Sequence, residues 1–473
     1  MRETWRQAAE ALRGYDAAND ERLNSGWRVF NESAEQTGRF SRDKLRARAR
    51  DLERNSDIAQ SVIQAFKRNI VGKGYTLQAK TGDDKLNDRL EALWRQWCRA
   101  PNCDVCAAQS FMQIIRMAVV RKKVDGGILF VKRYTKDGLL PFKLQMLEVD
   151  ELDSTAFEPQ HCGNKVVGGI EYDSSHRAVG YFIRQYDIEG WQTCQPIYIP
   201  AKYVIPYWSK SRPSQLREIS DMAPVITRVR DSNEFMTAVS VAKRIAACLA
   251  VFIKRSLPNG NIGRVGAPEK RMEYAGRKLV PGMISELNVG DSIEVVEPKG
   301  TGGDATQFLK MQWGLIGAGQ GLSYEAVSRD MSNATYSSAR QAAIEDEGTF
   351  AEDIELLCEV MSEIYETFVI SCYLAGLLEA PDFWENKEKY LAHYWVKVPK
   401  KWIDPAKEAA ANKIALQTGQ KTFMDIAAEQ GKDWKEAMRE MAEVVAYGKE
   451  IGIDMGGVIF GQKTEQTKSA GGK

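Results

Sequence analysis

The sequence predicts an α+β protein, and three observations carry that prediction. Helical apolar spacing fills residues 57–123 and most of the chain after residue 216, whereas short strand-like runs gather between Gly126 and Trp208; such segregation argues against an alternating, doubly wound nucleotide fold. After a polar loop beginning at Gly321, an uninterrupted helical pattern of roughly 40 residues runs to about Gly376, ~60 Å at the α-helical rise. Two further long helical segments flank a compact basic excursion.

Taken in order, residues 1–55 read as an extended or loosely helical arm. Its Arg42, Lys44, Arg46, Arg48, Arg50 and Arg54 share one helical stretch, for which a solvated face is favoured over a phosphate contact. An amphipathic helix from Asp57 to Val71 stops at Gly72-Lys73-Gly74, and two more follow at about Lys85 to Cys98 and Ser110 to Lys123. Strands are expected at Ile128–Tyr134, Phe142–Leu147, Val166–Tyr172, Val179–Tyr186 and Pro196–Ile199, separated by Gly-, Asn- and Asp-rich turns. From Pro224, tolerated in a first helical turn, a continuous helix is expected to Arg255, carrying Lys243, Arg244, Lys254 and Arg255 toward its end. Pro258-Asn259-Gly260 stops it. A Gly- and Pro-punctuated segment then carries Arg264, Glu269, Lys270, Arg271, Arg277 and Lys278, with a strand pair expected at Met283–Leu287 and Ser292–Val296. A helix from Asp304 to Gln320 runs back to Gly321.

The 40-residue rod places Phe350, Ile354, Leu357, Met361, Ile364 and Phe368 on one narrow seam. Its remaining surface carries one sign of charge: Glu345, Glu352, Glu355, Glu359, Glu363 and Glu366 recur at helical spacing, with no Lys or Arg between Gln341 and Glu366. Such a face either solvates a helix on a core or lines a passage for a polyanion, since nucleic acid adheres through Lys and Arg on its phosphates. Beyond the rod come a strand at Leu391–Val398, a helix capped by Asp404-Pro405, helices at about Thr422–Gln430 and Trp434–Ile451, and a tail, Thr464–Lys473, disordered by composition.

Lys+Arg 65 against Asp+Glu 64 leaves a net charge of +1, so no wholesale nucleic-acid or membrane-surface binder is implied. The N-terminus is too charged for a secretory signal, and the most apolar run, Ile245–Ile253, is short of the roughly 20 residues a membrane span needs; an intracellular origin is expected. Cys98, Cys103 and Cys106 have C-x4-C-x2-C spacing that His161 and Cys162 could complete as an iron–sulfur or zinc site, the alternative to ordinary reduced cysteines. Asp104 reads there as a helix cap. No phosphate loop, dinucleotide fingerprint or nucleophile elbow occurs, and three histidines give acid–base chemistry little to work with; no catalytic residue, metal or cofactor is assigned.

Gly321-Leu-Ser-Tyr-Glu-Ala-Val-Ser-Arg-Asp330 followed by Asn333-Ala-Thr-Tyr-Ser-Ser-Ala-Arg340 resembles the signature of lambda-type bacteriophage portal proteins. Tyr15-Asp-Ala-Ala18, Arg46-x-Arg-x-Arg50-x-Leu-x-Arg-Asn55, Val71-Gly-Lys-Gly74, Arg212-Pro213-x-Gln215 through Asp221-Met-Ala-Pro224, and Trp402-Ile-Asp-Pro-x-Lys-Glu408 look like family landmarks in family order. The resemblance implies a dodecameric ring at a capsid vertex, through which a terminase motor drives double-stranded DNA and from which DNA is ejected. It implies as partners the terminase large subunit, a head-tail adaptor, the major capsid protein and scaffold, with no membrane, in the virion and, during assembly, the host cytoplasm. It also names parts: an N-terminal arm (1–55), a wing (56–215), a stem helix (216–255), a clip (256–303) whose Asn259, Arg264, Glu269, Lys270, Arg271, Arg277 and Lys278 would meet terminase and adaptors, a second stem helix (304–321), a tunnel loop (322–335) presenting Ser328, Arg329, Asp330, Met331, Ser332, Asn333 and Thr335, a spine helix with further wing (336–398), and a crown with its tail (399–473).

Overall fold

The computed structural model describes residues 26–247 except 28 and 30, together with 251–255, 291–295, 303–398, 405–430 and 434–452. The chain opens with α1 (Ala34–Arg39), α2 (Arg42–Asn55) and α3 (Asp57–Ile70). Ser56 ends α2 by donating its N–H to Leu52 and starts α3 by accepting from the Ala59 N–H, so one residue sets the angle between them. Strand β1 (Tyr75–Ala79), α4 (Asp84–Trp97), the single turn α5 (Ala100–Cys103) and α6 (Phe111–Asp125) follow.

Helix α2 corrects the reading of an arm with a solvated basic face. Arg42 and Arg46 are 5% and 4% exposed. Arg42 forks onto both oxygens of Glu35, each at 2.9 Å; Arg46 pairs with Asp150 and lies 3.5 Å from Glu218; Arg50 reaches Asp125 at 2.6 Å and Glu148 at 2.9 Å. Lys44, Arg48 and Arg54 alone of the six basic residues face solvent. The helix spacing was legible; the carboxylates that claim its arginines lie far along the chain and were not.

The β-rich region forms two antiparallel sheets. Strand β2 (Ile128–Tyr134) lies between β3 (Phe142–Glu148) and the later β8 (Val204–Tyr207) and pairs with both, while β4 (Lys165–Val167), β5 (Ile170–Tyr172), β6 (Ala178–Tyr186) and β7 (Gln192–Pro200) form a meander. The expected single strand Val166–Tyr172 is two strands, because Gly168 and Gly169 both take positive φ (57° and 83°), the two-residue hairpin turn that matches strand twist. Gly169 has no room for a side chain, since a Cβ would sit 2.9 Å from the Asp153 backbone.

Helix α7 (Ile226–Ala247) is shorter than expected. The chain leaves it for β9 (Val251–Arg255), paired antiparallel with β10 (Asp291–Val295), so Lys254 and Arg255 belong to a strand and not to the helix. Val251-Phe252-Ile253 explains the change, since β-branched and aromatic residues favour the pleated backbone. The other expected strand, Met283–Leu287, lies outside the described residues. Then come α8 (Gly303–Ala318), α9 (Tyr324–Ser328), the 39-residue α10 (Tyr336–Leu374), α11 (Lys387–Leu391), β11 (His393–Lys397), α12 (Pro405–Gln417), α13 (Phe423–Glu429) and α14 (Trp434–Glu450). Strand β11 returns to pair with β1, Tyr75 opposite Lys397.

The main core lies where α3, α4 and α6 pack on the seam of α10. Trp94 stacks on Trp97 at 5.0 Å and meets Phe111 and Phe368 edge-on at 5.1 Å each, which welds α4 and α6 to the rod. Every expected seam residue is buried except Ile354, which is half-buried. A buried cation crosses this core: Lys122 of α6 donates to Asp353 of α10 at 2.7 Å and to Asp221, just before α7, at 3.1 Å. Burial works against its charge, yet the two carboxylates raise its pKa above the ordinary lysine value.

Two buried charge sets should dominate stability. Lys122→Met leaves Asp221 and Asp353 facing each other and should cost about 3–5 kcal/mol, read as a lowered thermal midpoint at pH 7. Glu218 is fully buried; desolvation would raise its pKa, but Arg217, Arg46 and Arg42 hold it below the ordinary carboxylate value. Its contribution is therefore present above the unfolded carboxylate pKa and is lost as pH falls through the folded value. Glu218→Gln should lower the thermal midpoint at pH 7, and the gap between variant and parent should narrow below about pH 4.

Candidate functional site

The expected loop is rooted more deeply than its polarity suggests. Leu322 and Val327 are buried, and α9 packs on α3 and α8, with Ser61 of α3 donating to the Val327 carbonyl at 2.6 Å. At its root, Asp346 of α10 accepts from the Ser323 backbone N–H at 2.7 Å and from its hydroxyl at 2.8 Å, while Thr349 donates to the Gly321 carbonyl at 2.6 Å. One turn of the rod thereby holds the base of the loop. Asp346, Thr349 and Ser61 were not singled out from the sequence, although a polar pair at i and i+3 inside an apolar seam was the available signal.

The free part is short. Ser328 ends α9 and turns its hydroxyl back to the Tyr324 carbonyl at 2.8 Å. Arg329 takes the left-handed conformation at φ 58° and is exposed. Asp330 is held below the usual carboxylate range by the Ser332 hydroxyl and by the Ser332 N–H, which donates to it at 3.0 Å, and it lies 3.6 Å from Lys310 of α8. Met331, Ser332 and Asn333 are exposed, and Thr335 caps α10 by accepting from the Ser338 N–H. The segment thus offers one cation and one locally satisfied anion, with no cluster able to grip phosphate.

The rod leaves the loop with its acid outward. Glu345, Glu352, Glu355, Glu359, Glu363 and Glu366 are all exposed, and of these Glu363 is paired, 2.7 Å from Lys132 of β2. On α7, Lys243 and Arg244 line a shallow apolar groove of about 490 Å³ with Met236, Val239 and Leu309. Asn259, Arg264, Glu269, Lys270, Arg271, Arg277 and Lys278 lie outside the described residues, and only the backbone of Lys254 and Arg255 is described.

The cysteines follow a different logic from a metal site. Cys103 is buried and donates its thiol to the Cys98 and Gln109 carbonyls; burial, reinforced by the Asp104 charge, pushes it up to about 12. Burial also pushes Cys98 up, whereas Cys106 and Cys162 are exposed. Asp104 caps no following helix: it accepts from the N–H groups of Cys106, Ala108 and Gln109, organising the turn that ends at Ser110. His161 turns its Nδ1 to buried Glu171 at 3.1 Å. Among the described residues no group of three or more His, Cys, Asp or Glu is placed to hold a metal, and no helix is long and apolar enough to cross a membrane.

Residues 20–352, which include the loop and the first part of the long helix, match the family described as phage portal protein, lambda family. The chain belongs to the lambda family of phage portal proteins. It is similar to the probable portal protein of Halomonas phage phiHAP-1, 23% identical over 476 residues, with 95% of this chain and 89% of that protein covered. Portal protein B of Escherichia phage lambda is 20% identical, covering 86% of this chain and 84% of its own length. Among solved structures, the neck of a native gene transfer agent particle computed with C12 symmetry matches at TM-score 0.44 and 14% identity, covering 85% of this chain and 94% of that one. As a family member, this chain is a capsid-vertex portal, the conduit for packaged and ejected DNA.

If Asp346 roots the loop, Asp346→Ala should strand the Ser323 N–H and cost about 2–3 kcal/mol for the lost charge-assisted pair. Hydrogen exchange should show the Ser323 amide opening at least tenfold faster while the α4 amides are unchanged.

Proposed function

We propose that twelve copies of this portal chain close into a ring whose channel passes double-stranded DNA by repelling it, while the loop limits back-slippage. The observation that carries this reading is the 39-residue α10, which presents exposed glutamates along its length directly behind a short loop of near-zero net charge. Binding duplex DNA depends on cations that displace its counterions, and this surface supplies almost none. A wall of that kind lets a polyanion move, and a loop braced by Asp346, Thr349 and Lys310 is stiff enough to obstruct it.

The remaining parts follow from the same reading. The stem comprises α7 and α8, the wing comprises α3 to β8 with α10 and β11, and the crown begins at α12. The excursion between β9 and β10 is the clip, where basic residues such as Arg264, Lys270 and Arg277 meet the terminase large subunit during packaging and a head-tail adaptor afterwards. The chain contacts the major capsid protein and scaffold at the vertex, catalyses nothing, and passes through the host cytoplasm before residing in the virion. A ring needs two different complementary patches on each copy, closed by rotation.

Light scattering and negative-stain images of the purified chain should show rings of twelve with a central hole; a chain that stays monomeric even with capsid protein and scaffold present overturns the ring. Replacing residues 329–334 by two glycines should preserve rings and packaging yet cause packaged DNA to be lost. Unchanged DNA retention in that variant overturns the role given to the loop.

A further inference from the structure

Helices α13 and α14 pack on each other, with Ile426, Ala427 and Ala437 buried, and among the described residues none after β11 joins the main core cluster. The unit meets the rest of the chain across α4 through charge. Lys435 lies 3.2 Å from Asp84, and Arg439 lies 3.7 Å from Asp84 and 3.9 Å from Asp88. All four side chains are about half exposed or more. Two cavities remain between the unit and the body: one of about 550 Å³ beside Glu91 and Arg95, the other of about 680 Å³ between Glu429 and the apolar floor of Phe350, Ile354 and Trp395.

From these contacts we infer that the α13–α14 unit is a charge-held cap, docked on α4 by exposed ion pairs and released as ionic strength rises. An interface closed by packed apolar surface keeps its hold in salt, whereas exposed pairs contribute little each and are screened. The two cavities leave gaps in the packing between the unit and the body. Its departure uncovers the acidic side of α4 and the groove over Phe350, Ile354 and Trp395, so ionic conditions decide which face the wing presents at that end. The inference stands whether or not the loop acts as proposed above.

A zero-length carbodiimide joins a lysine to a carboxylate only in direct contact, so the intact chain carries both probe and control. The probe is the Lys435–Asp84 cross-link; the control is the Lys421–Glu429 cross-link, an exposed pair inside the unit at 2.6 Å. Peptide mass spectrometry should show the ratio of probe to control falling about fivefold between roughly 0.05 M and 1 M sodium chloride. Asp88→Asn, at an exposed position, should lower the ratio already at low salt with helicity unchanged, and Arg439→Gln should lower it further. A ratio indifferent to salt, variants equal to the parent, or a control cross-link with no probe cross-link at low salt each overturns the cap.

Discussion

A buried lysine needs carboxylates, and that requirement ties the fold together. Lys122 leaves the end of α6, and no solvent reaches it to compensate its charge, so it draws in Asp353 from the long helix and Asp221 from the segment entering α7. Three parts of the chain that are distant in sequence are brought to one atom. Apolar packing alone would allow α10 to slide along its seam by a turn, because its buried residues recur at similar spacing; a fixed charge pair does not slide. The adjoining Lys123 shows the contrast: it lies 3.6 Å over the Phe66 ring, and burial lowers it to about 8. One lysine is held charged by its partners, while its neighbour gives up its proton far more readily.

The same economy governs α2, α6 and the β-rich region. Arg46, Arg50, Arg121 and Arg217 interleave with Glu53, Asp125, Asp150 and Glu218, so α2 meets α6 and the segments just after β3 and β8 through charge-assisted pairs. Removing one partner costs more than the pair contributes, because a buried charge is left uncompensated. Docking of α2 against α6 and these segments is therefore specific and acid-sensitive, in contrast to the uncharged packing of Trp94 against Trp97, Phe111 and Phe368.

Elements with strong periodicity were legible in the sequence: α3, α4, α6, the strands β2, β3 and β6, and α10 with its buried seam and exposed glutamates. Elements whose structure depends on remote partners were not. Strand β1 is a five-residue run after a helix stop, and it becomes a strand because β11 pairs with it. Lys254 and Arg255 sit in what reads as a helix end, yet β10 draws that stretch into an antiparallel pair. At the loop, the exposed tip was legible from polarity, while its anchoring by Asp346 and Thr349 was hidden because an acidic residue in a glutamate-rich helix looks like one more solvated charge. The arginines of α2 misled for the same reason, since a helix wheel shows spacing and says nothing of what waits opposite.

The pairing of Tyr75 with Lys397 has a consequence for how the chain comes to be folded. A ribosome delivers β1 early and β11 only after most of the chain has been made, and α10, which supplies the floor for α3, α4 and α6, also arrives late. Until then the apolar sides of the first helices have no cover, and β1 offers an open edge to any other strand. Contacts of such long sequence separation form slowly. The nascent chain therefore carries those apolar faces and that strand edge uncovered until α10 and β11 have been made.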